Sequence, residues 1–150
     1  MKVVFVCLGN ICRSPMAEAV FRKLVENQGL SHKITIDSAA TSSWEKGNPV
    51  HRGTRDRLAK EGISVEGMYS RQLSQQDLDA DYLIGMDQSN IDNIRKFVGP
   101  QYEGEIRLLL DFTDNSDEIA DPWYTGDFDK TYEDVLKGCV GLLRHIQAQL

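Results

Sequence analysis

With 150 residues, 41% of them apolar and 27% charged, the chain has the length and composition of one water-soluble domain able to bury a sizeable core. The net charge of −6 argues against a general nucleic-acid binder, and no apolar run is long enough to span a membrane. The short apolar run after Lys2 lacks the length and cleavage site of a signal peptide, and three cysteines without disulfide spacing point to the reducing cytoplasm.

Val3-Val4-Phe5-Val6 reads as a strand buried on both faces, as in a parallel sheet. Ser14 suits an N-cap and Pro15 the first helical position, which makes Cys7 to Arg13 a loop between a strand end and a helix start. The helix is predicted from Pro15 to about Gln28, with Ala17, Val20, Phe21, Leu24 and Val25 on one face and Gly29 as its stop. Ile34 and Ile36 begin a second strand ending near Asp37–Ala40. A loop containing Trp44, Gly47 and Pro49 leads to a helix with a weak apolar face, from about Val50 to Lys60. The segment from Ile63 to Leu73 reads mostly as loop, and Ser74 caps a short turn through Leu78. A third strand covers Tyr82–Met86, and the following helix buries Ile91, Ile94 and Val98 before Gly99-Pro100. Ile106 and Leu108–Leu110 form a fourth strand. Asp111 to Phe128 is a long polar loop, a length that is usually functional. The last helix spans about Thr131 to Gln149, with Tyr132, Val135, Leu136, Cys139, Val140, Leu143 and Ile146 on its buried face. Strands alternating with helices predict a single α/β domain over 1–150. Its three layers are a four-stranded parallel sheet with helices on both faces, and a phosphate loop follows the first strand.

The loop carries the chemistry. In an open α/β sheet, a strand's C-terminal end next to a helix N-terminus is where anions bind. Cys7 opens this loop and Arg13 closes it. A thiol is a good nucleophile only as thiolate, and both the helix N-terminus and Arg13 favour that form. Backbone N–H groups from Leu8, Gly9, Asn10, Ile11 and Cys12 can converge on phosphate oxygens. Gly9 lets the chain curl, and Asn10 tolerates a left-handed conformation. Arg13 can grip two oxygens through its planar fork, and Ser14 can donate a hydrogen bond to the Cys7 sulfur. A Walker-type nucleotide loop is excluded, because the second Gly followed by Lys and Ser or Thr is missing. The histidines His32, His51 and His145 have no metal-ligand spacing, so neither metal nor cofactor is expected.

The stretch CLGNICRSPMAEAV resembles the low-molecular-weight protein tyrosine phosphatases. The likeness continues through DSAATSSW (Asp37 to Trp44), IGMDQSN (Ile84 to Asn90) and DPW (Asp121 to Trp123). It implies hydrolysis of phosphotyrosine in proteins, and of aryl phosphates, through a cysteinyl-phosphate. Cys7 would be the nucleophile, Arg13 the phosphate clamp and Asp121 the general acid. Asn10, Ser14 and Ser38 would shape the loop, with Asp87 in support. Trp44, Trp123 and Tyr124 would wall the substrate slot. Inorganic phosphate or other oxyanions would occupy the loop, and Cys12 would trap oxidised Cys7 as a disulfide. Sequence physics alone does not choose Asp121 over Asp111, Asp114, Asp117 or Glu118; the resemblance does. Members that prefer phosphoarginine tend to carry Thr where Ile11 stands, so phosphoarginine is the runner-up. An arsenate reductase of the same fold would need two more cysteines near the third strand, and Asp81 to Asn90 has none. A non-catalytic phosphate-binding module would not need all three reactive residue types. The chain departs from the family at Gly67-Met68-Tyr69, where many members place a histidine behind the loop.

Overall fold

Val3 to Val6 are wholly buried, and the computed structural model, which describes residues 1–150, places them in the middle of a sheet. The strands are β1 (Lys2–Cys7), β2 (Thr35–Ala40), β3 (Tyr82–Gly85) and β4 (Glu105–Leu108). They lie in the order β2-β1-β3-β4, and every neighbouring pair is parallel. Alternate residues of β1 face opposite sides. Val3, Phe5 and Cys7 pack with helix α1 (Arg13–Asn27) and helix α5 (Phe128–Gln147), joined by the small helix α2 (Arg52–Ala59). Val4 and Val6 pack with Leu83 and with Ile94 of helix α3 (Gln88–Val98) on the other side. Because β1 has β2 on one side and β3 on the other, the chain reverses direction across the sheet at β1. The loop after β1 therefore opens into the crevice beyond the strands' C-terminal ends.

Several boundaries differ from expectation. Helix α1 begins at Arg13, and Cys12 occupies the N-cap position with no side-chain cap. Ser14 lies inside the first turn because its hydroxyl is drawn to Cys7 and Asn10. Helix α2 begins at Arg52, where the His51 ring accepts from the Gly53 N–H. Strand β4 stops at Leu108, since Asp111 accepts from the Leu108 N–H and closes a 3₁₀ turn over Leu109–Phe112. The polar stretch beyond contains a four-residue helix α4 (Pro122–Thr125), capped by Asp121. Helix α5 begins at Phe128, capped by Asp127, and its buried face includes Leu142, whereas Val140 is only half-buried. The Ile63–Leu73 stretch is mostly loop, although Gln72 forms a single parallel bridge to Ala40 beside the sheet edge.

Helix α5 approaches the turn after β4 so closely that its glycines are required. A methyl at Gly138 would overlap Leu109, and one at Gly141 would overlap the Phe112 carbonyl oxygen. A backbone atom cannot swing aside, so Gly141→Ala should destabilise the fold by about 1–3 kcal/mol. A thermal melt should show Tm lower by roughly 2–4 °C for each kcal/mol. An unchanged Tm would mean that the α5 contact is looser than described.

Candidate active site

The loop from Cys7 to Arg13 is held by its carbonyl groups. The Cys7 carbonyl accepts from the Thr41 N–H at 3.0 Å, and that of Leu8 from the Ser42 N–H and hydroxyl at 3.1 and 2.8 Å. The Gly9 carbonyl accepts from the Ser70 hydroxyl at 2.8 Å, that of Ile11 from the His51 N–H at 2.8 Å, and that of Cys12 from the Thr54 hydroxyl at 3.1 Å. A trans peptide puts N–H opposite C=O, so fixing these carbonyls outward turns the N–H groups of residues 8, 9, 10, 12 and 13 inward. The result is an anion nest at the start of α1.

Asn10 makes the curl possible. It is the one non-glycine residue with positive φ, at 56°. Gly9 needs no such conformation; a side chain there would instead press on Glu45. The Asn10 amide donates to the Ser14 hydroxyl at 2.7 Å and to the Ser38 hydroxyl at 2.9 Å, and its oxygen accepts from the Arg71 N–H at 3.1 Å. Ser38 in turn donates to the buried carboxylate of Glu18 at 2.6 Å. With its oxygen accepting from Asn10, Ser14 has its own proton free for the Cys7 sulfur 3.0 Å away. The Asn10 N–H also points at that sulfur, at 3.3 Å.

Arg13 is 3% exposed. Its guanidinium donates to Asp87 at 2.7 Å and to the Ile119 carbonyl at 2.8 Å, and reaches Asp121 at 3.5 Å. Burial works against its charge, but Cys7, Asp87 and Asp121 outweigh burial and hold its pKa above the usual guanidinium value. Asp87 is itself fixed as the N-cap of α3, accepting from the Asn90 N–H at 2.9 Å. Asp87 thus has a definite partner here without any histidine nearby. Asp121 caps α4 through the Trp123 N–H at 3.0 Å and faces the same cleft as Cys7.

That cleft holds about 170 Å³ and is floored by Cys7, Gly9, Cys12 and Arg13. Leu8 and Ile11 line it as well, and Trp44, Trp123 and Tyr124 stand around its mouth. These three are 77%, 56% and 78% exposed, which places them outside the core and at the site. Asn10, Ser14 and Ser38 lie behind the loop. Every residue singled out from the sequence therefore falls at one place in the fold. Sequence reasoning missed Glu18, Ser42, Thr54, Ser70 and His51, all of which hold the loop from outside. Glu18 alone carried a signal, as a carboxylate set between Ala17 and Ala19 on a helix that buries both.

Comparison with known proteins adds independent findings. A family profile described as low molecular weight phosphotyrosine protein phosphatase matches residues 2–150. The low molecular weight protein-tyrosine-phosphatase YfkJ of Bacillus subtilis is 49% identical over 152 residues, spanning 99% of this chain and 97% of that protein. The crystal structure of YfkJ superposes with a TM-score of 0.95, covering 99% of this chain and 96% of that one. The PtpA phosphatase of Staphylococcus aureus is 44% identical over 145 residues, spanning 96% of this chain and 92% of that protein. A protein tyrosine phosphatase crystal structure from Entamoeba histolytica, 33% identical, gives a TM-score of 0.92 over 99% of this chain and 98% of that one.

All three cysteines are free and buried; Cys7 and Cys12 line the cleft, whereas Cys139 lies in the core. Burial first, then the charges of Asp121 and Cys7, push the Cys12 thiol up to about 12. Complete burial pushes Cys139 up as well. Both therefore stay protonated at neutral pH, and a short pulse of iodoacetamide at pH 7 should label Cys7 alone, as read by peptide mass mapping. Equal labelling of Cys12 would contradict its environment as described.

Proposed function

The chain belongs to the low-molecular-weight phosphotyrosine protein phosphatases, and on that premise we propose how its own residues divide the work of hydrolysis. It is a protein tyrosine phosphatase; the assignment of roles rests on one observation. The Cys7 sulfur receives the Asn10 N–H at 3.3 Å, lies 3.0 Å from the Ser14 hydroxyl behind it, and faces a cleft that Arg13 and Asp121 also line.

In the first step the Cys7 thiolate attacks phosphorus in line, and an S–P bond replaces the P–O bond to the tyrosine oxygen. A phenol has a pKa near ~10, so the departing oxygen benefits from a proton, which Asp121 supplies. In the second step the Asp121 carboxylate takes a proton from water as that water attacks phosphorus. The S–P bond breaks, phosphate leaves and Ser14 receives the returning thiolate with its hydroxyl proton. Arg13 and the loop amides carry the negative charge that builds on the phosphoryl oxygens, and would bind inorganic phosphate or another oxyanion in the same way. Asp87 keeps Arg13 aimed, and Asn10, Ser14 and Ser38 keep the loop curled.

Trp44, Trp123 and Tyr124 rise around the mouth as an aromatic slot for a phenyl ring. Ile11, 9% exposed, presents an apolar surface at the floor, which favours an aryl phosphate over phosphoarginine. Cys139 is the sole thiol outside the loop and is enclosed in the core, so no cysteine relay for arsenate reduction is available.

Residues 1–150 act as a single catalytic domain, working in the cytoplasm on phosphotyrosine-containing proteins. No helix is long and apolar enough to cross a membrane. Cys12 lies in the same loop as the nucleophile. When peroxide oxidises Cys7 to the sulfenic acid, the Cys7 charge that helps to hold the Cys12 thiol protonated is gone; Cys12 gives its proton to the departing hydroxyl, its sulfur displaces water to form a disulfide, and an external thiol reduces it again.

Three substitutions test these roles. Cys7→Ser should abolish turnover of any aryl phosphate. Asp121→Ala should slow phenyl phosphate by roughly 10²-fold or more and a dinitrophenyl ester far less; equal slowing of both would remove Asp121 as the acid. After a peroxide pulse, dithiothreitol should restore the parent enzyme but not Cys12→Ser, and full recovery of that variant would exclude the disulfide.

A further inference from the structure

The general acid rides on a segment with little of its own to hold it. Between Ala120 and Gly126, hydrogen bonds stay within the segment or its flanking turn, apart from the long Arg13–Asp121 contact of 3.5 Å. The upstream end is fixed: Ile119 is buried, its N–H donates to the Met86 carbonyl at 2.8 Å and its carbonyl accepts from Arg13. Within it Pro122 is buried, and Phe128 at the downstream end packs against the core; the one aromatic side chain that touches both Trp123 and Phe128 is His51. Its ring stacks on Phe128, with centroids 5.3 Å apart and planes 15° from parallel, and meets Trp123 edge-on at 5.5 Å. The His51 backbone N–H is the donor that holds the Ile11 carbonyl of the phosphate loop.

We propose that His51 is a positioning residue that holds the acid segment in register with the nucleophile loop. Its main chain is fixed to the loop that carries Cys7, and its ring is clamped between the residue two places after Asp121 and the first residue of α5. Trp123 transmits the position directly, since its N–H binds the Asp121 carboxylate at 3.0 Å. Losing the ring frees Trp123, which is over half exposed, and so lets Asp121 drift from the leaving oxygen. Gly53 belongs to the same device: any side chain there would overlap the Phe128 ring and push it off His51.

His51 has a second, separable job. Its Nδ1 accepts from the Gly53 N–H at 2.9 Å and caps α2. Two variants divide the jobs: His51→Asn keeps a capping side chain without a ring, and His51→Phe keeps a ring without the cap. This inference rests on Asp121 being the acid, so the experiment includes Asp121→Asn. Rates are measured over a series of aryl phosphates from good to poor leaving groups.

His51→Asn should lose about tenfold on phenyl phosphate and less than twofold on a dinitrophenyl ester, a partial copy of Asp121→Asn. His51→Phe should retain the parent's leaving-group dependence. Gly53→Ala should resemble His51→Asn although His51 is intact. Uniform loss across leaving groups in His51→Asn or Gly53→Ala, no loss in either, or a selective loss on phenyl phosphate in His51→Phe as large as in His51→Asn would each overturn the proposal. If Asp121→Asn itself slows good and poor leaving groups equally, the acid assignment fails instead, and the two failures are told apart by that variant.

Discussion

Turning five peptide N–H groups toward one point requires that the opposite carbonyls be satisfied elsewhere, and the rest of this site is arranged around that requirement. A buried carbonyl without a donor costs about 1–3 kcal/mol, so an inward nest with unpaired outer carbonyls would not persist. Here the donors arrive from four separate places in the chain: the end of β2, the start of α2, Ser70 beside the sheet edge, and α1 itself. Asn10 adds the reversal of direction. Its positive φ is uncommon outside glycine, and its side chain is bonded on both the amide and the oxygen side, which holds the strained turn. Preorganisation of this kind makes electrostatic stabilisation effective, because no reorientation is needed when charge develops on the phosphoryl group.

The same logic governs Arg13. A buried guanidinium is costly unless paired, and this one is shared between Asp87, a peptide carbonyl and the edge of Asp121. Asp87 is locked at the head of α3 and Ile119 is tied to Met86, so two β–α junctions of the sheet meet at the clamp. The core matters to function mainly here: it sets the ends of β1 and β3 side by side, and the reactive groups follow from those ends.

Much of this was legible in the residues themselves. The unbroken Val3–Val6 run, the Cys7-to-Arg13 spacing and the helix behind it locate the loop at a strand's C-terminal end without any coordinates, whereas the strand order that makes this a switch point comes from the structure. Asp121 was not legible physically, since four other acids share its stretch; only the family likeness separated it. The outer donors were hidden for a different reason. Ser42, Thr54 and Ser70 are ordinary loop or helix residues by type, and tertiary packing of three separate pieces, the end of β2, helix α2 and the stretch beside the sheet edge, brings them to the phosphate loop. The local sequence favours Ser14 as a cap, but a hydrogen bond to the Cys7 sulfur outcompetes the local preference. Glycine at position 9 suggests a source of curl, but its φ is not positive; the curl comes from Asn10, and a side chain at position 9 would meet Glu45 at 3.3 Å.

The central claim is that this preformed loop exists to carry phosphate on the Cys7 sulfur. Rapid acid quenching during turnover of an aryl phosphate, followed by peptide mass analysis, tests it most directly. The account predicts a phosphoryl group on the peptide that begins at Val3 and ends at Arg13, fragmenting to Cys7, during the steady state and gone when substrate is exhausted. Phosphate captured on any other residue, or steady turnover with no phosphorylated enzyme at any quench time while phosphoryl transfer is fast, would contradict it.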